Sequence, residues 1–229
     1  MSSAQELKFA VGSAGNVSAL LLRPKEARAC YVFAHGAGAG MRHASMEAIA
    51  TGLAERGIAT LRYQFPYMEK GSKRPDPPAL AHATVRAAVA EASSACAGLP
   101  LLAGGKSFGG RMTSQAQAKA PLEGVKGIAF FAFPLHPAGE TAVNRATHLF
   151  DVAIPILFLQ GTRDALADAT LLKQIVKDFT ALRDDTTTLH LVEGADHSFH
   201  VLKSSGRNDG DVLAEILDAF AAWADKVIR

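Results

Sequence analysis

The sequence predicts an α/β fold in which a mostly parallel sheet is covered by helices on both sides. Three observations point to it. Short, continuous apolar runs such as Ala29–Ala34, Ile58–Tyr63 and Val125–Phe133 read as strands buried on both faces. They alternate with segments of helical spacing, the pattern that builds parallel sheets. Finally, 229 residues with a hydrophobic fraction of 48% suit one domain, residues 1–229, with a substantial core.

Taken in order, Leu7–Val11 and Val17–Arg23 flank the turn Gly12-Ser13-Ala14-Gly15-Asn16 and read as an antiparallel hairpin. The run Ala29–Ala34 ends in the glycine-rich stretch His35-Gly36-Ala37-Gly38-Ala39-Gly40. A helix then runs to about Arg56, closed by Gly57, and Ile58–Tyr63 is the next strand. Gln64 to Pro78 holds four prolines and several charges and is expected to be a loop without regular structure. A helix from about Ala79 to Ala97 leads into the strand beginning at Leu99. Beyond the small-residue helix Met112–Ala120 and the strand Val125–Phe133, the segment Pro134–Val152 is irregular, with a short helix expected near Asn144. Pro155–Gln160 is a strand, and Leu171, Leu172, Ile175, Val176, Phe179 and Leu182 form a helical stripe. Thr187–Val192 is the last strand, and Leu213, Ile216, Leu217, Phe220 and Val227 mark a closing amphipathic helix.

The chemistry centres on Gly105-Lys106-Ser107-Phe108-Gly109, which fits G-x-S-x-G between an apolar strand and a helix. That context is the one a nucleophile elbow needs, a tight turn whose flanking positions have no room for a side chain. Ser107 is the candidate nucleophile. The same letters imitate the end of a phosphate-binding loop, but the pattern would need glycine where Pro100 stands.

An acyl-transfer serine also needs a base, a group that orients the base, and donors for an oxyanion. Asp164 follows one strand in Gly161-Thr162-Arg163-Asp164, and His197 follows the next in Gly194-Ala195-Asp196-His197. Loops at the carboxyl edge of such a sheet converge, and nucleophile, acid, base is a chain order specific to one serine-triad fold. The backbone N–H groups of Phe108 and Ala37 are the expected oxyanion donors, with Gly36 and Met41 expected to contact substrate. Asp168 is the rival to Asp164 and His200 to His197; strand-end position favours the first of each pair. His35 is expected to order its loop, whereas His82, His136, His148 and His190 read as structural or solvent-facing. Lys106 is expected to pair with a carboxylate behind the turn, and Arg62, Lys70, Lys73 and Arg74, which border the proline-rich loop, read as solvated charges.

Four segments, Phe33–Gly40, Gly104–Arg111, Gln160–Asp164 and Gly194–Phe199, together with Phe133-Pro134-Leu135-His136-Pro137, resemble the α/β-hydrolase superfamily over nearly the whole chain. The likeness is greatest to its small dienelactone-hydrolase-like branch of predicted serine hydrolases. The resemblance implies a three-layer sandwich with an N-terminal antiparallel hairpin and no lid domain. It also implies a triad of Ser107, Asp164 and His197 and no cofactor. The chain departs from true dienelactone hydrolases in carrying serine where they have cysteine, so a different substrate is expected: small carboxylic esters or thioesters cleaved through an acyl-serine. The rival from another class is a hydrolase-like fold acting as a binding or scaffold protein.

Composition narrows the rest. A net charge of +2 and no basic stripe leave no signature of nucleic-acid binding. No apolar run approaches the roughly twenty residues that span a bilayer, and Met1–Glu6 has no secretory pattern. Cys30 and Cys96 both sit in apolar stripes and read as small core residues. A cytoplasmic location without membrane attachment is expected. No metal is expected either, since His197 and His200 lack further ligands at suitable spacing. A homodimer is compatible with the sequence.

Overall fold

A computed structural model describes residues 3–182 and 187–229. Its centre is one sheet of eight strands, β1 Gln5–Ala10, β2 Asn16–Leu22, β3 Ala29–Ala34, β4 Ile58–Tyr63, β5 Leu101–Lys106, β6 Val125–Phe131, β7 Ile156–Gly161 and β8 Thr187–Val192. Their spatial order is β1-β2-β4-β3-β5-β6-β7-β8. β1 runs antiparallel to β2 and β2 antiparallel to β4, while every pairing from β4 through β8 is parallel. The strand order reverses between β4 and β3, and the central strands β3, β4 and β7 are buried at every position. Such burial is why they read as unbroken apolar runs.

Side chains alternate across the sheet and so divide the core. On one face, Tyr31, Phe33, Leu102, Phe131 and Leu159 pack with residues of α1 (Ala44–Glu55) and α6 (Asp209–Val227). On the other face, Cys30, Val32, Leu61 and Ala103 meet α3 (Pro78–Ala95) and α4 (Phe108–Lys119). Farther along that face, Ile128, Phe130 and Phe158 meet α5 (Ala169–Leu182). The three layers are those of the expected sandwich. Local chemistry agrees with the boundaries: Asn208 caps α6 in a reciprocal box with Asp211, a device worth about 1 kcal/mol.

Four details differ from the sequence reading. Pro66–Glu69 is a single helical turn, α2, inside the proline-rich segment; Pro66 opens it, where proline's fixed φ and missing N–H suit a first turn. The short helix expected near Asn144 is a 3₁₀ turn at Thr147–Asp151. α4 begins at Phe108, directly after the serine and ahead of the segment expected to be helical. Leu182, counted in the apolar stripe of α5, is the last residue of that helix and is 69% exposed. Among the described residues no helical insertion stands over the carboxyl ends of the strands, and no helix is long and apolar enough to cross a membrane.

Candidate active site

Ser107 occupies the turn between β5 and α4 with φ 50° and ψ −117°, a conformation that costs a residue bearing a Cβ on the order of 1–3 kcal/mol. The surroundings hold it there. The Ser107 N–H donates to the Phe131 carbonyl of β6, 3.1 Å away, and its own carbonyl accepts from Arg111 N–H at 3.1 Å. The flanking glycines are required by close approach: a Cβ on Gly105 would lie 2.6 Å from the Ala34 carbonyl oxygen, and one on Gly109 2.5 Å from that of His35.

Two further loops bring their side chains to this turn. After β7, the turn Gly161–Asp164 carries Asp164, whose side chain is fully buried. After β8, the loop Glu193–His200 carries His197. The two loops are clamped together: Thr162 N–H donates to Val192 O, Arg163 N–H donates to Ala195 O at 2.9 Å, and Gly194 N–H donates to Thr162 Oγ1 at 2.9 Å. Asp196 shapes the histidine loop from within, its Oδ1 accepting the N–H groups of Ser198 and His200.

The outcome is a continuous chain of hydrogen bonds. His197 Nε2 lies 2.9 Å from Ser107 Oγ, and His197 Nδ1 lies 2.7 Å from Asp164 Oδ2. The Asp164 carboxylate also accepts from Leu166 N–H at 2.8 Å and from the Gln160 side-chain amide. A carboxylate satisfied on both oxygens holds one orientation, and with it the imidazole.

Lys106 does not pair with a carboxylate as expected. Its Nζ donates to the backbone carbonyl of His197 at 3.0 Å and lies 5.3 Å from the centre of the Phe199 ring. Among the described residues no carboxylate lies within ion-pair distance of Lys106, so a carbonyl dipole and an aromatic face take its place. Burial pushes the Lys106 pKa down to about 8, with Asp164 and Asp196 pulling the other way.

Facing Ser107 is a cavity of about 260 Å³ lined by Gly36, Ala37, Ala39, Met46, Ser107 and His197, among others. The Ala37 and Phe108 N–H groups make no hydrogen bond among the described residues; Phe108 is the first residue of α4, where N–H groups lack helical partners. Met41 lies elsewhere. Its N–H donates to Gln64 Oε1 at 2.9 Å and its side chain is buried, so it lines the neighbouring cleft instead of the Ser107 cavity. His43, Ser45 and Ser198 line the cavity and were not anticipated. His43 caps α1, a use of histidine that sequence patterns rarely flag.

The other candidates have structural partners. Asp168 caps α5 through the N–H groups of Thr170 and Leu171 and does not approach His197. His200 bonds Asp209 at the surface. His35 is fully buried; its Nδ1 lies 2.8 Å from Gly36 O, and its Nε2 accepts from Phe65 N–H. It bridges the glycine-rich loop to the segment after β4, and burial lowers its pKa to about 4. His82, His136, His148 and His190 contact Gln115, Asp168 N–H, Ser114 and Glu215 respectively. Cys30 and Cys96 are free and buried. Among the described residues no group of three or more His, Cys, Asp or Glu side chains is placed to hold a metal ion.

Comparison with known proteins gives a consistent picture. A family model described as an alpha/beta hydrolase domain matches residues 27–225. Among solved structures, a dienelactone hydrolase from Anabaena variabilis superposes with a TM-score of 0.75 at 18% identity, over 100% of each chain. An α/β serine hydrolase without a lid from Xanthomonas campestris gives 0.73 at 19% identity, over 97% of this chain and 96% of the other. A Pyrococcus furiosus esterase gives 0.76 at 10% identity, over 99% and 94%. At such identities the likeness is one of fold.

Proposed function

The chain belongs to the alpha/beta hydrolase domain family, and from that premise we propose that it is a serine hydrolase of small carboxylic esters or thioesters. The single observation that carries the reading is the hydrogen-bonded series Ser107 Oγ, His197 imidazole, Asp164 carboxylate, at 2.9 and 2.7 Å.

In this mechanism His197 Nε2 takes the Ser107 proton as Oγ attacks the carbonyl carbon, and the imidazolium then hands that proton to the leaving alcohol or thiol. Water attacks the acyl-serine in the second half, with His197 again acting as base. Asp164 fixes the tautomer that presents a bare Nε2 to the serine and stabilises the charge that forms on the ring. The oxyanion is met by the N–H groups of Phe108 and Ala37, each such donor contributing about 3 kcal/mol of barrier lowering in known examples. No cofactor takes part.

The cavity supports small acyl groups: it is only about 260 Å³ and is lined by Met46 and by Gly36, Ala37 and Ala39 of the glycine-rich loop. Hydrolysis of a p-nitrophenyl ester series tests the proposal. Acetate and butyrate esters are turned over by the native protein at least a thousandfold faster than by Ser107→Ala, and rates fall for long chains. Equal rates for native and variant protein would leave a binding or scaffold role as the reading.

A further inference from the structure

The cavity at Ser107 adjoins a second one of about 150 Å³, and Ser45, Lys106 and Ser198 line both. Ala48 and Ile49 of α1, Leu213 and Ile216 of α6, and Phe199 of the histidine loop form the rest of its apolar wall. Ile49, Ile216 and Phe199 are buried. The two charged residues of the lining have partners of their own. Asp209 Oδ2 bonds His200 Nδ1 and its Oδ1 accepts the Val201 N–H. The Lys106 ammonium is held by the His197 carbonyl and the Phe199 ring. What this pocket offers an occupant is therefore apolar surface.

In another direction the Ser107 cavity shares Ala39 and His43 with a cleft of different character, lined also by Arg42, Gln64 and Glu69. Arg42, His43 and Glu69 are exposed. The two halves of an ester need different surroundings. The alcohol departs in the first half-reaction and suits an exposed, polar exit. The acyl group stays on Ser107 Oγ until water attacks, and an apolar pocket stabilises it throughout. A dry space of about 150 Å³ with Leu, Ile and Phe walls is large enough to take up benzene. We propose that this pocket is the acyl subsite and takes a phenyl ring one or two carbons from the ester carbonyl, as in phenylacetyl and 3-phenylpropanoyl esters. The assignment rests on the serine-hydrolase reading above and names the substrate class of that site. Ring burial there fixes the carbonyl over Ser107 Oγ, so its effect is read in kcat/KM.

Turnover of p-nitrophenyl acetate, phenylacetate and 3-phenylpropanoate, each rate divided by that of alkaline hydrolysis, is the first readout. In the native protein at least one aryl ester exceeds acetate by about tenfold or more in kcat/KM. Ala48→Phe fills the pocket from α1 and Leu213→Trp fills it from α6. Each cuts that ratio by about tenfold or more, with circular dichroism unchanged. Calorimetric titration of Ser107→Ala protein with phenylacetamide and acetamide reads the pocket without turnover. Phenylacetamide binds about tenfold or more tightly, and adding Ala48→Phe removes the difference. Amide discrimination without any ester turnover upholds the aryl pocket while refuting the hydrolase reading. Acetate turnover with no aryl preference, or a preference that survives both filled variants, overturns the subsite. A preference for benzyl over methyl acetate that is absent from the acyl series overturns its assignment to the acid half.

Discussion

Lys106 and His197, ninety-one positions apart, are joined by a 3.0 Å hydrogen bond from the ammonium of one to the backbone carbonyl of the other. The residue before the candidate nucleophile therefore holds the loop that carries the candidate base. Lys106→Met keeps the stem and loses the bond. It lowers kcat about tenfold with KM nearly unchanged, read from steady-state ester hydrolysis. Replacing a desolvated ammonium by an apolar side chain leaves stability unchanged or slightly raised, which a melting curve at pH 7 checks.

Asp164→Asn and Asp168→Ala separate the two carboxylates of one loop. Asp164 faces His197 Nδ1, where an amide cannot impose the required tautomer, so kcat falls by about 10³–10⁴ while folding persists. Asp168 only caps α5. Its replacement by Ala costs about 1 kcal/mol of stability and leaves kcat within twofold.

Glycine replacement discriminates backbone contact from open space. Gly109→Ala forces a Cβ to 2.5 Å from a carbonyl oxygen and destabilises by about 3 kcal/mol or more. At Gly36 the nearest neighbours of a Cβ are 3.6 and 3.7 Å away, one of them Ser107 Cβ. Gly36→Ala is therefore stable in a denaturant titration, yet it lowers kcat/KM by narrowing the cavity.

Acid sensitivity follows from His35. Its folded pKa is about 4 because burial disfavours the charged ring, against an unfolded value of about 6.5. Between those values the unfolded chain binds more protons, so stability falls as pH drops from about 6.5 to about 4. The loss approaches about 3 kcal/mol if the whole shift is realised. His148, also lowered to about 4 by burial and by Arg111, acts in the same direction. His35→Gln, which retains an acceptor for Phe65 N–H, flattens part of this dependence in melts across that range.

Much of the architecture was legible because its signals are local. Apolar runs of strand length, glycine at helix ends and the Gly105–Gly109 pattern each record a backbone requirement within a few residues. Asp164 and His197 were legible as candidates because they immediately follow strands whose ends share one sheet edge. What escaped depends on tertiary neighbours. Lys106 bonds a carbonyl ninety-one residues away, and no sequence rule distinguishes that partner from a carboxylate. Met41 was expected beside substrate from its place after the glycine-rich loop, but Gln64 draws its N–H aside. Asp196 left a usable trace: an Asp directly before His197 and two before Ser198 suits a side chain that accepts local N–H groups.

The central claim is that Ser107 is a nucleophile activated by His197. Treating the folded protein with a fluorophosphonate and mapping the adduct by peptide mass spectrometry tests it most directly. A single stoichiometric adduct on Ser107, lost in His197→Ala, is the result this account predicts. An unmodified Ser107 in folded native protein, or labelling undiminished in His197→Ala, would contradict it.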